Sequence, residues 1–400
     1  MVSIALLLSL GATFLLIEVI AGCREFCRKE EGVGPFANSN GQNGSELADS
    51  RVVVLIPAHN ESAILAQTLQ SLAPIKRENV QLLVVADNCT DNTAQIARDD
   101  GVRVVERNDD SELGKGYALA FGLSALAQDP PDVVIVLDAD CTVSPPDLHL
   151  IAARAARTGS PVQARYVMAL ANPEQSSSKQ RLAAFAWWFK VILRQRGLHF
   201  LSGSCHLSGS GMAFPWAAIS KMPLGTSHIV EDLVLGLWLA RHRYKVDYCY
   251  PAVITSTFPA AESDAVSQRT RWESGHLSTI TRDVPVTLLN GIFRRNVTAV
   301  ALAVDAAVPP IALFVILLTT NLIFAFSYWL VGGSGTALAI TIAGVLFLTC
   351  AVTIACYFDH ERYLKPKDLA AIVRYTVSKV GLYRRIFSGE TVGWLKTKRD

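Results

Sequence analysis

The sequence predicts an α/β protein. A mostly parallel sheet with flanking helices is joined to three transmembrane helices and to amphipathic helices at the membrane surface. Four short runs rich in β-branched residues alternate with helical patterns between Val52 and Leu137, as expected of a parallel sheet covered on both faces. Three stretches of about twenty apolar residues lie outside that block, the length a bilayer-crossing helix needs. Pro57, Asp87, Asp138 and Asp140 fall at the ends of the runs, and such sheets bind ligands beyond the carboxyl ends of their strands.

The elements follow in order. Val2 to Ala21 is apolar with one acid, Glu18, so residues 1–23 form the first span. A cleaved leader is the alternative, since Ile20-Ala21-Gly22-Cys23 resembles a processing site, but residues 1–17 lack the basic start of a signal peptide. Residues 24–50 form a linker, rich in Gly, Asn and Ser from residue 30 onward. Strands are expected at Val52–Ile56, Leu82–Ala86, Val102–Val105 and Val133–Leu137, with helices starting near Glu61, Thr93 and Lys115. The domain they open is expected to run over residues 51–300.

Within that domain, Lys179 to Arg196 carries Leu182, Phe185, Phe189 and Ile192 at helical spacing beside Lys190, Arg194 and Arg196. It reads either as a helix in the headgroup region or as an ordinary core helix. Residues 306–358 contain no charged side chain and break at Val331-Gly-Gly-Ser-Gly-Thr336, giving two spans near 308–331 and 336–357. The tail, 359–400, holds a second stripe, Leu369, Ile372, Val373, Thr376 and Val380, which is expected to be interfacial because it follows a span.

Basic residues set the expected topology. Arg24, Arg28 and Lys29 follow the first span, Arg294 and Arg295 precede the second, and Arg362, Lys365 and Lys367 follow the third. The loop between the last two spans has neither Lys nor Arg, so the large domain and the tail are expected on the cytoplasmic side of the cell (inner) membrane. The 50% hydrophobic content exceeds that of an ordinary soluble protein. The net charge of +2 indicates little by itself, and no nucleic-acid partner is expected. Eight scattered cysteines without a C-x-x-C pair fit a reducing compartment and argue against a zinc site.

Four motifs carry the chemistry. Asp138-Ala139-Asp140 follows the fourth strand; one or two carboxylates plus phosphate oxygens are how Mg²⁺ or Mn²⁺ is commonly held, although a capped strand–helix turn can look the same. Glu231-Asp232 opens an apolar helical run, where acids suit the helix dipole and one of the two can serve as a general base. Gln268, Arg271 and Trp272 share a helix side by their i, i+3, i+4 spacing, and the planar fork of Arg matches phosphate. Asp87 offers a carboxylate to a base. Lys115 sits in Gly-Lys-Gly at a helix start, where a phosphate would be welcome or a surface lysine ordinary. The small-residue loop Ser208–Phe214 can let backbone approach an acceptor. His276 is either near the metal or acceptor, or structural.

Through these motifs, Val52 to Trp272 resembles the polysaccharide-type branch of family 2 glycosyltransferases, which includes cellulose, chitin and hyaluronan synthases and bacterial exopolysaccharide enzymes. The resemblance implies a GT-A, Rossmann-like fold and a hexosyltransferase using Mg²⁺ or Mn²⁺ and a nucleotide-sugar donor, UDP-linked by preference. Pro57, Glu61 and Asp87 would contact the nucleoside, with Lys115 near the base or diphosphate. Asp138 would meet the ribose and take part in the metal site, and Asp140 would hold the metal and diphosphate. Asp232 would be the base, beside Glu231, and Gln268, Arg271 and Trp272 would bracket the diphosphate and acceptor end. The reaction implied is one displacement inverting an α-linked donor to a β-glycoside. The acceptor would be a glycan, or alternatively a lipid such as a polyprenyl phosphate.

Two positions depart from the family pattern: Asn88 follows Asp87 where a second Asp is usual, and Val230 stands where many members have Thr. Three spans are also fewer than synthases that secrete their own polymer carry. That implies a homo-oligomer, an export partner, or a lipid-linked product.

Overall fold

The computed structural model describes residues 1–30, 50–75, 79–259, 262–359, 363–365 and 368–388. Most of the expected linker, residues 31–49, together with Arg362, Lys367 and the tail from residue 389, lies outside the described residues. The chain divides into two compact units. One gathers Met1–Glu31, Asn172–Ser202 and His276–Gly393; the other gathers Gly32–Ala171, Gly203–Gly275 and Trp394–Asp400.

The second unit is built on an eight-stranded sheet in the order β3-β2-β1-β4-β7-β6-β8-β5. Strands β1 (Val52–Ala58), β2 (Val80–Asp87), β3 (Arg103–Arg107) and β4 (Val133–Val136) are the four expected runs, and all pair in parallel. The other half is mixed. β7 (Met212–Pro215) runs antiparallel to both β4 and β6 (Val162–Ala169), and β8 (Asp247–Thr257) runs parallel to β6. A two-residue strand, β5 (Thr142–Val143), pairs antiparallel with β8.

Leu55, Val85, Val136 and Phe214 on this sheet pack in one buried cluster with Leu119 and Leu123 of the Lys115–Leu126 helix and Leu235 and Leu239 of the Glu231–Arg241 helix. Burying such side chains stabilises by about 1.5–3 kcal/mol each. The same core therefore fixes two helices whose first residues are Lys115 and Glu231.

Among the described residues of the first unit, three helices are long and apolar enough to cross a membrane: Val2–Arg24 (within Val2–Glu30), Ile311–Leu330 and Thr336–Tyr357. Small residues let them pack closely. Ser9 Oγ donates to Ile340 O at 2.7 Å, and a Cβ added to Gly344 would lie 2.5 Å from Ser9 Oγ. Leu7, Leu10, Phe324 and Leu346 point outward, as a lipid-facing surface requires.

The Lys179–Arg196 segment belongs to the unit that holds the spans. It forms the Ser178–Trp187 helix, a π-helical turn Trp188–Arg194 and the start of the Gln195–Ser202 helix. Leu182, Phe185, Phe189, Ile192, Arg194 and Arg196 are all buried. Arg194 accounts for the lone acid of the first apolar run: its Nε donates to Glu18 Oε2 at 3.0 Å, and its Nη2 pairs with Asp305. Tail residues fold as the Leu369–Phe387 helix, with Val373, Val377, Val380 and Phe387 exposed along it.

Candidate active site

The site is assembled at the carboxyl ends of the parallel strands in the sheet-containing unit. Pro57 lies beside Val85 in the β1–β2 register, and Asp87 closes β2. Asp87 is buried and paired with Arg107, the last residue of β3: Arg107 Nη1 donates to Asp87 Oδ1 at 2.9 Å. The same guanidinium donates to Glu112 O at 2.8 Å and reaches Glu112 Oε2 at 3.0 Å and Asp109 Oδ2 at 3.2 Å.

Asn88 has a distinct structural job. With φ of 51° it turns the chain left-handed, its Nδ2 donates to Asp109 O at 3.0 Å, and its Oδ1 accepts from Asp109 N at 2.6 Å. Short polar side chains tolerate that backbone region best among non-glycine residues. Asn60, at φ 55°, braces the neighbouring loop by accepting from Thr90 N at 2.7 Å. Glu61 enters the same wall through its N–H, which donates to Thr93 Oγ1 at 2.8 Å. Thr93 and Ser62 also bond Asp91, and those bonds outweigh burial to hold its carboxyl down at about 2.

Lys115 is the hub. Its ammonium pairs with Asp138, donates to Gly209 O at 2.7 Å and lies 3.8 Å from Glu231 Oε1. Burial opposes its charge, but Asp138 and Glu231 outweigh burial and push its pKa up. Its place depends on Gly116, where an added Cβ would come within 2.4 Å of Leu224 O and 2.6 Å of Thr226 O. Burial, with Asp232 adding to it and Lys115 opposing, raises Glu231 to about 7. Asp232 Oδ1 accepts from Leu233 N at 2.8 Å, and a Cβ on Gly209 would sit 3.3 Å from its Oδ2.

The loop that leads from Ser208 into β7 thus lies against both Lys115 and Asp232 at Gly209. Gly209 and Gly211 hold φ of 89° and 66°, backbone that favours glycine. Gln163, fully buried on β6, clamps the loop: its Oε1 accepts from Ser208 N at 2.8 Å, and its Nε2 donates to Ser210 O at 2.9 Å. Ser210 Oγ accepts from Asp138 N at 3.0 Å and faces Cys141 Sγ at 3.2 Å. Arg107 and Gln163 were not marked by any motif in the sequence, since each acts through partners distant along the chain.

Oxygens of Asp138 and Asp140 and the Cys141 sulfur come within 4.8 Å of one another. Burial and then the two carboxylates push the Cys141 thiol up, so it stays a thiol. The remaining donors are hard carboxylate oxygens, which suit Mg²⁺ or Mn²⁺.

The Gln-x-x-Arg-Trp motif lies early in the Glu262–Phe293 helix. Gln268 is buried, and its Oε1 has no hydrogen-bond partner among the described residues; Arg271 and Trp272 are half-buried. A Cβ on Gly275 would come within 2.8 Å of Val230, so this helix packs against the residues that lead into Glu231. His276 belongs to the other unit. It lies 2.9 Å from Ala306 O through Nε2 and 3.4 Å from Lys190 Nζ through Nδ1. Burial first, then Lys190, drives it well below the ordinary imidazole range.

The chain is similar to known glycosyltransferases. A probable glycosyltransferase, YdaM, of Bacillus subtilis is 26% identical over 264 residues, 59% of this chain and 57% of its own length. A poly-beta-1,6-N-acetyl-D-glucosamine synthase of Staphylococcus aureus is 24% identical over 245 residues, 58% of this chain and 56% of its own. The chain therefore spans little more than half the length of these relatives. Among solved structures, a mannosyltransferase from Pyrobaculum calidifontis, in complex with GDP-Man and Mn²⁺, shares the fold at a TM-score of 0.52 and 15% identity. That match covers 96% of this chain and 100% of that one. The family profile described as "Glycosyltransferase like family 2" matches residues 50–275, more than half the chain, and the chain is therefore a family 2 glycosyltransferase.

Proposed function

We propose that the enzyme moves a sugar from a UDP-linked donor to a glycan acceptor in polysaccharide biosynthesis, inverting the anomeric centre in one displacement. The observation that supports this best is the Lys115 hub, which brings Asp138, Glu231 and the Gly209 backbone together beside Asp232. Asp87 would hold the base, with Pro57 and Glu61 completing the nucleoside wall. Asp138 and Asp140 would hold Mg²⁺ or Mn²⁺, and a bound divalent cation would neutralise charge on the departing diphosphate.

Asp232 would take the proton of the acceptor hydroxyl as its oxygen bonds to the anomeric carbon and the bond to the diphosphate breaks. Lys115, Gln268 and Arg271 would offer donors to that diphosphate, with Trp272 as a face for the acceptor end. Glu231, next to Lys115, would tune the lysine's charge. The basic flanks support placing this chemistry on the cytoplasmic side of the inner membrane.

A lipid acceptor is the second reading, supported by the exposed Val373, Val377 and Val380 row on a helix that follows a span. The three spans among the described residues are few for a polymer channel, and a homo-oligomer or an export partner would serve a glycan product.

The test is nucleotide release from UDP- and GDP-sugars by the full-length protein in lipid nanodiscs with Mg²⁺ or Mn²⁺, with product mass read in the same reactions. UDP release with a growing glycan supports the first reading; one sugar added to a lipid supports the second. GDP release alone would overturn the donor assignment.

A further inference from the structure

Ser256 lies near the end of β8 and is 2% exposed. Its Oγ donates to Asp140 Oδ2 across a sequence separation of 116 residues. The link is made by β5: Thr142 and Val143 pair with Thr255 and Ile254, which carries the residues just after Asp140 onto the end of β8. Asp140 Oδ1 meanwhile faces the Cys141 thiol at 3.9 Å. One side of the carboxylate is therefore turned to the β8 hydroxyl and the other to the Asp138–Cys141 side, where the candidate ligand atoms gather within 4.8 Å.

We propose that Ser256 is a positioning residue for the divalent-cation site, orienting Asp140 so that Oδ1 presents to the ion. This rests on the reading of Asp140 as a metal ligand and deepens it. A carboxylate rotating about its terminal bond spends only part of its time in a ligating pose. A buried hydroxyl that engages one oxygen removes that freedom before the ion arrives. Outer partners of this kind are worth about 10–100-fold in metal affinity. Ser256 is also a residue that no acidic or nucleotide-binding motif would single out.

The experiment is Mn²⁺ binding, followed by electron paramagnetic resonance, on the full-length protein in nanodiscs, with Mn²⁺ alone and with Mn²⁺ plus UDP. Variants are compared at matched thermal midpoints. Ser256→Ala is expected to weaken Mn²⁺ binding about 10–100-fold. Ser256→Thr keeps the hydroxyl in a strand that already carries Thr255 and Thr257, and is expected to retain most of the wild-type Mn²⁺ affinity. Asp140→Asn is the control for the underlying reading. Loss of binding in Asp140→Asn together with wild-type affinity in Ser256→Ala would overturn the role of Ser256 alone. Equal losses in Ser256→Ala and Ser256→Thr would also overturn it, because packing and not the hydroxyl would then matter. Undiminished binding in Asp140→Asn would overturn the metal-ligand reading itself.

Discussion

Arg107→Met removes a cation from the interior while nearly keeping its volume. The Arg107 and Asp87 side chains are 7% and 8% exposed, so the substitution strands a buried carboxylate. Breaking a buried pair from one side costs about 3–5 kcal/mol, because the remaining group keeps its desolvation penalty without its partner. Glu112 and Asp109 add little to this, since at 51% and 36% exposure water replaces the guanidinium. For a domain of 150–250 residues 1 kcal/mol moves the midpoint by about 2–4 °C, so the expected fall is about 6–20 °C. Thermal unfolding in nanodiscs, followed by tryptophan fluorescence, measures it.

The double variant Arg107→Met with Asp87→Leu removes both charges and is expected to recover most of that loss, because an apolar pair of similar shape leaves nothing buried unpaired. A single variant within about 2 °C of wild type, or a double variant no more stable than the single, would refute the reasoning. The double variant also separates stability from function. If Asp87 holds the base, it is folded yet binds UDP poorly.

Asp232→Asn is expected to abolish transfer while UDP affinity, measured calorimetrically, stays within a few-fold; wild-type turnover would remove Asp232 from the mechanism. Gly116→Ala should cost about 1–3 kcal/mol and lower turnover, because its Cβ would meet Leu224 O at 2.4 Å next to Lys115; an unchanged midpoint would mean that backbone yields freely. Glu231 makes stability depend on pH, since its folded value of about 7 lies above the ordinary 4.5. The stability it contributes is present below about pH 4.5 and lost as pH rises through 7, about 3 kcal/mol in all. The midpoint should therefore fall between pH 5 and 8 by an amount that Glu231→Gln abolishes, and equal slopes in both proteins would contradict the assignment.

What the sequence determined by itself is what local pattern encodes. The runs at Val52–Ile56, Leu82–Ala86 and Val133–Leu137 fell in β1, β2 and β4 because a strand buried on both faces must be apolar along nearly its whole length, whereas the edge strand β3 is partly exposed and carries Arg103 and Glu106. The three spans were legible for a related reason, since a bilayer requires long uninterrupted apolar helices. Asp87, Asp138 and Lys115 were marked by standing at the ends of such elements. β5 to β8 were not legible: β5 has two residues, β7 has four, and the pairing of β8 with β6 shifts register between Ala164 and Arg165.

Which polar groups meet is set by the packed fold and not by local pattern. Lys115 reaches Gly209, Asp87 reaches Arg107 and Asp140 reaches Ser256 across separations of 94, 20 and 116 residues. Such partners are selected by the sheet order that brings them together and by the cost of leaving a buried charge or hydroxyl unpaired. No local periodicity records that cost, so Arg107, Gln163 and Ser256 became visible only once the strands were in place.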